Sequence, residues 1–506
     1  MVSQNKFKNQ NKDRIIDGKR QHLHIIGICG VATSALAIAF HDKGWKVTGS
    51  DKGFFPPVST ELEKHGIDFY AGWHTEKIGS PDIVVIGTAS GSQNPETTYV
   101  KEKNIPIYSF AEAIGKFFVK EHSIVVVGTW GKTSSSALLS FILEKSGFDP
   151  SYMFGGISLS HSASAKLTNS KWCILEGDEY KSSPIDNTPK FTYYKPTHLF
   201  LTAVSWDHAD LYPTEESYFE TFKKLVSSIP KKGLILANKD DKGVDKILEK
   251  INRKVIYYGK EKVDRIQKIS RNGEIGKDKT DYTYRDVRQT KDGLDFTISH
   301  KEKNYKIHSP MIGEFQAENI AGCFAMAHQI GITPEKIVKA IEEFKGLKRR
   351  LEKRFEGDMT VFDDIAHSPE KAASVLENIH SIYRSKYHTT NQDKNGKQVK
   401  ILAIFEPNIG GRQRESSYKY DNAFKNADTV VIPRLTKLKV SKEKPMEGDE
   451  LAEVIKKTQP NVIYIEDDKE LVKYIVKKAH KDDVIVFLGS HGFRGMIEET
   501  ITSLRQ

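Results

Sequence analysis

The stretch VVVGTWGKTSSSALLSFILEKSG, residues 125–147, decides the fold. The apolar residues Ile124–Val127 predict a buried strand, so the turn after it lies at the carboxyl edge of a sheet. Gly128 and Gly131 leave backbone N–H groups free to approach an anion, and Thr133 begins a helix whose dipole attracts one. Lys132 and the Thr133 hydroxyl are the pair that phosphate charge and Mg2+ require. Gly147 is placed to stop the helix in a left-handed conformation. The general phosphate-loop pattern needs a further glycine where Val126 stands. Two readings follow: a nucleotide site with a tighter loop, or a glycine turn whose Lys132 points into water. The strand–loop–helix context favours phosphate.

Upstream, HLHIIGICGVATSALAIAFHDKGWKVTGSD (residues 22–51) reads as strand, glycine turn at Gly27 and Gly30, helix, and a second strand ending at Ser50 and Asp51. This βαβ opening can hold a diphosphate at its helix N-terminus, and Asp51 is spaced to suit a ribose. The dinucleotide fingerprint is interrupted at Cys29 and Ala32, so a purely structural turn stands beside a nucleotide or nucleotide-sugar site. Downstream, WCILEGDEY (172–180) and THLFLTAVSWDHAD (197–210) are apolar strands ending in acids or histidine. Ligands of open α/β sheets collect beyond the carboxyl ends of strands. Lys132, Thr133, Glu176, Asp178, Glu179, Asp207 and His208 are therefore expected on one rim. Glu176 is the preferred carboxylate for Mg2+, and at least one of Asp178 and Glu179 is expected to be a solvated loop acid. His208 is open between a metal or phosphate role and a surface hydrogen bond.

Short charged strands follow residue 255, and GEFQAENIAGCFAMAHQIG (313–331) restores a helix. Beyond FKGLKRRLEKRFEG (344–357), strands alternate with helices again, implying another largely parallel sheet. The polar run 385–398 looks like a mobile surface insertion. The expectation is an α/β protein with a flexible basic arm (1–21) and three domains, 22–121, 122–346 and 347–506. The first and third are Rossmann-like, and the central one is of P-loop ATPase type.

The bulk numbers exclude several classes. No apolar run approaches the roughly 18 residues of a membrane span, and the N-terminus lacks the apolar stretch of a signal peptide. Three cysteines, Cys29, Cys173 and Cys323, are too few and scattered for a disulfide or zinc framework, so a reducing, cytoplasmic setting is expected. The net charge of +10 is spread over dispersed lysines without a basic–aromatic stripe. That favours anionic small molecules over nucleic acid.

The loop Gly128-Thr129-x-Gly131-Lys132-Thr133, with LEGDEY (175–180), DHAD (207–210), KRRLE (348–352) and DDIAHSP (363–369), resembles the Mur ligase family over nearly the whole chain. The resemblance implies an ATP-dependent, ADP-forming ligase that uses Mg2+ and joins a nucleotide-sugar carboxylate to an amino acid or peptide through an acyl phosphate. It implies ATP contacts from Gly128, Thr129, Gly131, Lys132, Thr133, Ser134, Arg350 and Asp364. Metal would be held by Thr133, Glu176 and His208, and catalysis would involve Lys132, Glu176, His208 and His367. UDP would be cradled by Gly27, Gly30, Ser50 and Asp51, with Ser92 and Asn94 in a supporting loop. GSDKGFFPPVSTELEKHGI (49–67), FGGIS (154–158) and FEP (405–407) look most like the branch that attaches L-alanyl-γ-D-glutamyl-meso-diaminopimelate to UDP-N-acetylmuramate in peptidoglycan recycling. A sister branch adds L-alanine to the same sugar nucleotide. A free diaminopimelate carboxylate calls for a guanidinium fork, and Arg412, Arg414 and Arg494 are candidates or ordinary surface arginines. A monomer or homodimer is expected.

Several positions depart from the family pattern. Trp130 replaces His or Asn, Ala203 and Ser205 replace Asn and Glu, Phe315-Gln316 replaces His-Asn, Asn408 replaces Arg, and Ser368 replaces His. A catalytically silent nucleotide-sugar sensor would explain such changes. A nicotinamide oxidoreductase is disfavoured by the interrupted fingerprint and by the phosphate loop in the second domain.

Overall fold

In the computed structural model the described residues are 21–55, 58–87, 93–183, 186–208, 211–262, 280–384, 399–436 and 445–505. The basic arm (apart from Gln21), Pro56, Pro57, Ser92 and the insertion 385–398 lie outside them.

The first sheet is built from β1 (His22–Ile26), β2 (Lys46–Asp51), β3 (Asp68–Ala71), β4 (Ile83–Ile86) and β5 (Ile107–Ser109). All are parallel, in the order β3-β2-β1-β4-β5. The order reverses at β1, so the crevice for a ligand opens at its carboxyl end, where the Gly27–Gly30 turn sits. Helix α1 (Val31–Asp42) follows that turn; α2 (Val58–Lys64), α3 (Pro95–Glu102) and α4 (Phe110–Ala113) complete the connections. Thr33 to Phe40 of α1 are all buried, because the helix lies between its own sheet and the next domain.

The central sheet contains β6 (His122–Val127), β7 (Ser151–Met153), β8 (Ala165–Lys166), β9 (Trp172–Gly177), β12 (His198–Leu201), β13 (Leu234–Asn238), β14 (Ile256–Lys260), β15 (Tyr282–Thr290), β16 (Gly293–His300) and β17 (Lys303–Ser309). The hairpin β10 (Lys181–Ser183) and β11 (Asp186–Pro189) stands apart. The strand order is β17-β16-β15-β14-β13-β12-β6-β9-β7-β8, parallel from β15 to β7 and antiparallel at both edges. Helices α5 (Lys132–Lys145), α6 (Glu215–Ser228), α7 (Lys242–Leu248), α8 (Phe315–Gln329) and α9 (Pro334–Glu343) cover it. Alternation along β6 divides the core. Ile124 and Val126 pack under α5 and α8, whereas Val125 and Val127 join a core shared with the N-terminal domain.

The third sheet contains β18 (Glu352–Glu356), β19 (Thr360–Asp364), β20 (Ile401–Glu406), β21 (Thr429–Pro433), β22 (Val462–Ile465) and β23 (Val484–Gly489) in the order β18-β19-β23-β20-β21-β22. Only β18 is antiparallel. Helices α10 (Pro369–Arg384), α11 (Gly448–Lys456), α12 (Asp468–Lys478) and α13 (Met496–Leu504) cover both faces. Ile401, Ala403 and Phe405 enter one core, Leu402 and Ile404 the other, so the continuous apolar run of β20 reflects burial on both sides. Among the described residues no helix is long and apolar enough to cross a membrane.

Candidate functional site

β12, β6 and β9 are neighbours in the sheet, so their carboxyl ends open onto one rim. From β6 the chain turns through Gly128–Gly131 into α5. At Gly128 (φ +142°) a Cβ would stand 2.3 Å from Thr202 Oγ1, and at Gly131 (φ +81°) one would meet Asn319 Oδ1 at 2.5 Å. Both conformation and space therefore demand glycine. The Thr129 amide donates to the Ala203 carbonyl at 2.6 Å. Its hydroxyl donates to the Ser205 carbonyl at 2.7 Å and accepts the Ser205 amide at 2.9 Å. These bonds rivet the loop to the chain leaving β12.

Lys132 donates to the Gly128 carbonyl at 2.5 Å and to the Glu179 carboxylate at 2.8 Å. Burial works against its charge, but Glu179, followed by Glu176 and Asp178, outweighs burial and raises its pKa above the ordinary lysine value. The Thr133 hydroxyl donates to Glu176 at 2.8 Å, and the Gly155 amide donates to the other oxygen of Glu176 at 2.6 Å.

Of the two loop acids, Asp178 keeps partial exposure at 34% of its side chain, whereas Glu179 is enclosed. The Glu179 side chain is 1% exposed, between Lys132, the Tyr218 hydroxyl at 3.0 Å and His208 Nε2 at 3.7 Å. Asp178 is paired with Lys190 at 2.5 Å; burial pushes its carboxyl up, but Lys190 and then Lys132 hold it below the usual range. The reason is α6: Tyr218 roofs the segment after β9 and keeps Glu179 from water. Asp178, Glu179 and His208 each present a ligand atom within 4.8 Å of one another. His208 has a positive φ of 55°, and its ring lies 4.8 Å from that of Tyr180.

Three residues that the strand pattern did not single out complete this rim. Tyr218 has just been described. Asn319, near the start of α8, faces Gly131 and donates to Gln316 Oε1 at 3.0 Å. Lys371, in the first turn of α10, lies over the Trp130 ring. Asn319 stands three residues after Gln316, so helical spacing from the Phe315-Gln316 pair could have found it. Lys371 carries no such signal.

The C-terminal domain approaches from the opposite side. Exposed Arg350 lines a cavity of about 290 Å3 together with Ser134 and Gln316. Its neighbour Arg349 is occupied with Asp363 and with the carbonyls of Gly489, Ser490 and His491. Asp364 is buried and accepts the Leu351 amide at 2.7 Å and the Ala366 amide at 2.8 Å, so its carboxylate shapes the hinge and the loop before α10. Burial raises its pKa despite those two bonds. His367 Nδ1 lies 2.7 Å from the Ile365 carbonyl.

In the N-terminal domain the Ser50 hydroxyl is wholly buried on Glu96, and the Ser50 carbonyl accepts the Gly27 and Ile28 amides. Asp51 accepts the Cys29 amide at 2.8 Å, and Asn94 caps α3. These side chains shape the glycine turn (Gly27 φ +84°; a Cβ on Gly30 would press on Thr33 Oγ1 at 2.8 Å). Ser92 lies outside the described residues.

None of the three candidate peptide arginines presents an unpaired guanidinium. Arg412 is 4% exposed and donates to the Met446 and Thr436 carbonyls. Arg494 is paired with Asp468 and Glu406, and exposed Arg414 with Glu450.

Comparison with known proteins agrees with this arrangement. The chain matches the Mur ligase family, catalytic domain over residues 22–122, the Mur ligase middle domain over 126–327, and the Mur ligase, glutamate ligase domain over 349–491. It is 28% identical to the UDP-N-acetylmuramate–L-alanyl-γ-D-glutamyl-meso-2,6-diaminoheptandioate ligase of Haemophilus influenzae, covering 96% of this chain and 99% of that one. It is also 28% identical to the UDP-N-acetylmuramate–L-alanine ligase of Pelagibacter ubique, over 93% and 96%. Its fold matches the UDP-N-acetylmuramate-alanine ligase of Thermotoga maritima at a TM-score of 0.75 and 20% identity, over 96% and 99% of the two chains. The murein peptide ligase of Psychrobacter arcticus matches at 0.65 and 25%, over 96% and 98%. With the three Mur ligase models together spanning nearly all of residues 22–491, the chain belongs to the Mur ligase family of ATP-dependent, ADP-forming ligases.

Proposed function

We propose that the protein joins the carboxylate of UDP-N-acetylmuramate to the amine of L-alanyl-γ-D-glutamyl-meso-diaminopimelate at the expense of ATP. The carboxylate would attack the γ-phosphate to give an acyl phosphate, which the amine then opens with release of phosphate. One observation carries the ligase reading: Lys132 and Thr133 leave the phosphate loop directly onto Glu179 and Glu176, with His208 beside them. The tripeptide is favoured over L-alanine by the stretches 49–67, 154–158 and 405–407 and by the Haemophilus influenzae relative.

The donor set fits Mg2+, which takes oxygen ligands and retains water. Thr133 and Glu176 would hold one ion, and Glu179, Asp178 and His208 a second. When bound, Mg2+ neutralises charge on the phosphate oxygens. Lys132, kept charged by Glu179, adds its own field, and the Thr129 bonds to the chain leaving β12 fix the loop that carries it. Neutral His367, with Nδ1 committed to the Ile365 carbonyl, offers Nε2 to take a proton from the incoming amine. Arg412 is saturated by its own domain, so the peptide carboxylate would fall to Arg414 or Arg494, exchanging a protein carboxylate for a ligand one.

The test is phosphate release from Mg-ATP with UDP-N-acetylmuramate, comparing tripeptide with L-alanine and weighing the product. Tripeptide-dependent release with the joined mass is expected. Preference for L-alanine would move the acceptor to the sister reaction, and UDP-sugar binding without product would overturn the ligase reading in favour of a sensor.

A further inference from the structure

Trp130 stands in the middle of the phosphate loop, between Thr129 and Gly131, and the residue is 52% exposed. Its backbone is held: the Trp130 carbonyl accepts the Thr202 hydroxyl, and the residue bridges to Ala203. The indole face is thus presented to the cleft between the central and C-terminal domains. What covers it is a cation from the other side. Lys371 Nζ lies 5.6 Å from the ring centroid.

The surroundings of that ammonium are unusual. Lys371 is half-buried, and among the described residues no carboxylate reaches ion-pair distance of it. Asp207, Asp364 and Glu370 attract it from further off and Arg350 repels it, while burial depresses its pKa. A protein seeking only to fasten its domains would have given this lysine an acid. A π face attracts a cation but accepts none of its N–H bonds in the way an oxygen does. The three ammonium donors therefore remain available, one side chain away from the loop that wraps the phosphates.

We propose that Lys371 is a nucleotide-phosphate-binding residue supplied by the C-terminal domain, parked on Trp130 and transferred to the terminal phosphoryl oxygens of a nucleoside triphosphate. The exchange is favourable, because charge-assisted hydrogen bonds to phosphate are stronger than a cation–π contact on a half-exposed ring. It also gives a use to the indole at position 130, which contributes nothing to the backbone cradle. The inference rests on the ATP-dependent reading above but is independent of which acceptor is joined.

The experiment measures binding of labelled Mg-ATP, without sugar or peptide, to wild type, Lys371→Gln and Lys371→Arg, alongside tryptophan emission. Subtracting the Trp130→Phe spectrum isolates the ring in the loop. In wild type, Mg-ATP is expected to change the Trp130 emission as the ammonium leaves. K371Q should weaken Mg-ATP binding about tenfold, the loss of one or more charged hydrogen bonds, and abolish that emission change. K371R should restore most of the affinity, and equal thermal midpoints exclude misfolding. Wild-type affinity in K371Q, or an unchanged emission response, would overturn the proposal. A wild type that binds no ATP overturns it together with the ligase reading; one that binds ATP with the expected emission change but ligates neither acceptor overturns the ligase reading and leaves the Lys371 assignment standing.

Discussion

His367 keeps Nδ1 2.7 Å from the Ile365 carbonyl, so the neutral ring carries its proton there and leaves a lone pair on Nε2. Burial lowers its pKa first, and the charges of Lys371, Arg350 and Arg349 add to that against the opposing pull of the carbonyl. A base that must be neutral loses activity as pH falls through its pKa. The acid limb of kcat/KM for ligation should therefore lie below the ordinary histidine value of 6.5. Removing the Lys371 charge in K371Q should shift that limb upward. A limb at or above the ordinary value, or one unmoved by K371Q, would remove His367 from proton transfer. Glu179 makes a different point about single side chains. Its neighbour Glu176 was the acid that strand-end reasoning preferred, yet Glu179 is the one that Lys132, Tyr218 and His208 surround.

The β6–loop–α5 unit was legible because everything that shapes it is local: four apolar residues, two glycines and a helix start within one short stretch. The role proposed for it was suggested by the same stretch, through the adjacency of Lys132 and Thr133. What no local pattern could supply is the set of partners delivered by distant elements. Tyr218 comes from α6, Asn319 from α8 and Lys371 from α10, so whether Glu179 faces water or a roof depends on packing between segments far apart in sequence. The antiparallel edge β15–β17 was visible only as short charged strands, because an edge strand exposed on one face loses the continuous apolar run of a central one. The loop's geometry carries its own prediction. Gly131→Ala would place a Cβ 2.5 Å from Asn319 Oδ1 at a left-handed position, a strain of about 1–3 kcal/mol. The relief lies in shifting Asn319 or rotating the loop, so ATP affinity should fall further than the urea midpoint. Unchanged nucleotide binding in G131A would mean that the loop amides are not the cradle.

The two interfaces that join the three domains differ in kind. Between the N-terminal and central domains the core is continuous, from Leu23, Leu36 and Phe40 through Val125 and Val127 to Phe191 and Phe222. Gly115 packs so closely that a Cβ would meet the Tyr193 carbonyl at 2.6 Å. Between the central and C-terminal domains the apolar contact is small, with Ile312 entering the C-terminal core, and polar bonds accompany it. Gln289 donates to Ser381 at 3.0 Å, the Glu314 amide to Asn378 at 3.1 Å and Lys353 to the Lys291 carbonyl at 2.9 Å, with Lys371 resting on Trp130. Apolar burial couples unfolding, whereas a small polar interface permits independent motion and opening. The N-terminal and central domains should therefore melt as one unit and the C-terminal domain as another, giving two calorimetric transitions without ligand. Hydrogen exchange should assign them, with β19, β20 and β23 losing protection separately from β1 and β6. On the proposed reading Mg-ATP is held from both sides of the cleft, by Lys132 and Arg350, and would bind only when both are folded. At about 100 times its Kd it should stabilise the bound state by about 2.7 kcal/mol and draw the two transitions together. A single two-state transition without nucleotide, or two transitions that Mg-ATP leaves equally far apart, would show that the polar contacts couple the domains as firmly as the apolar core does.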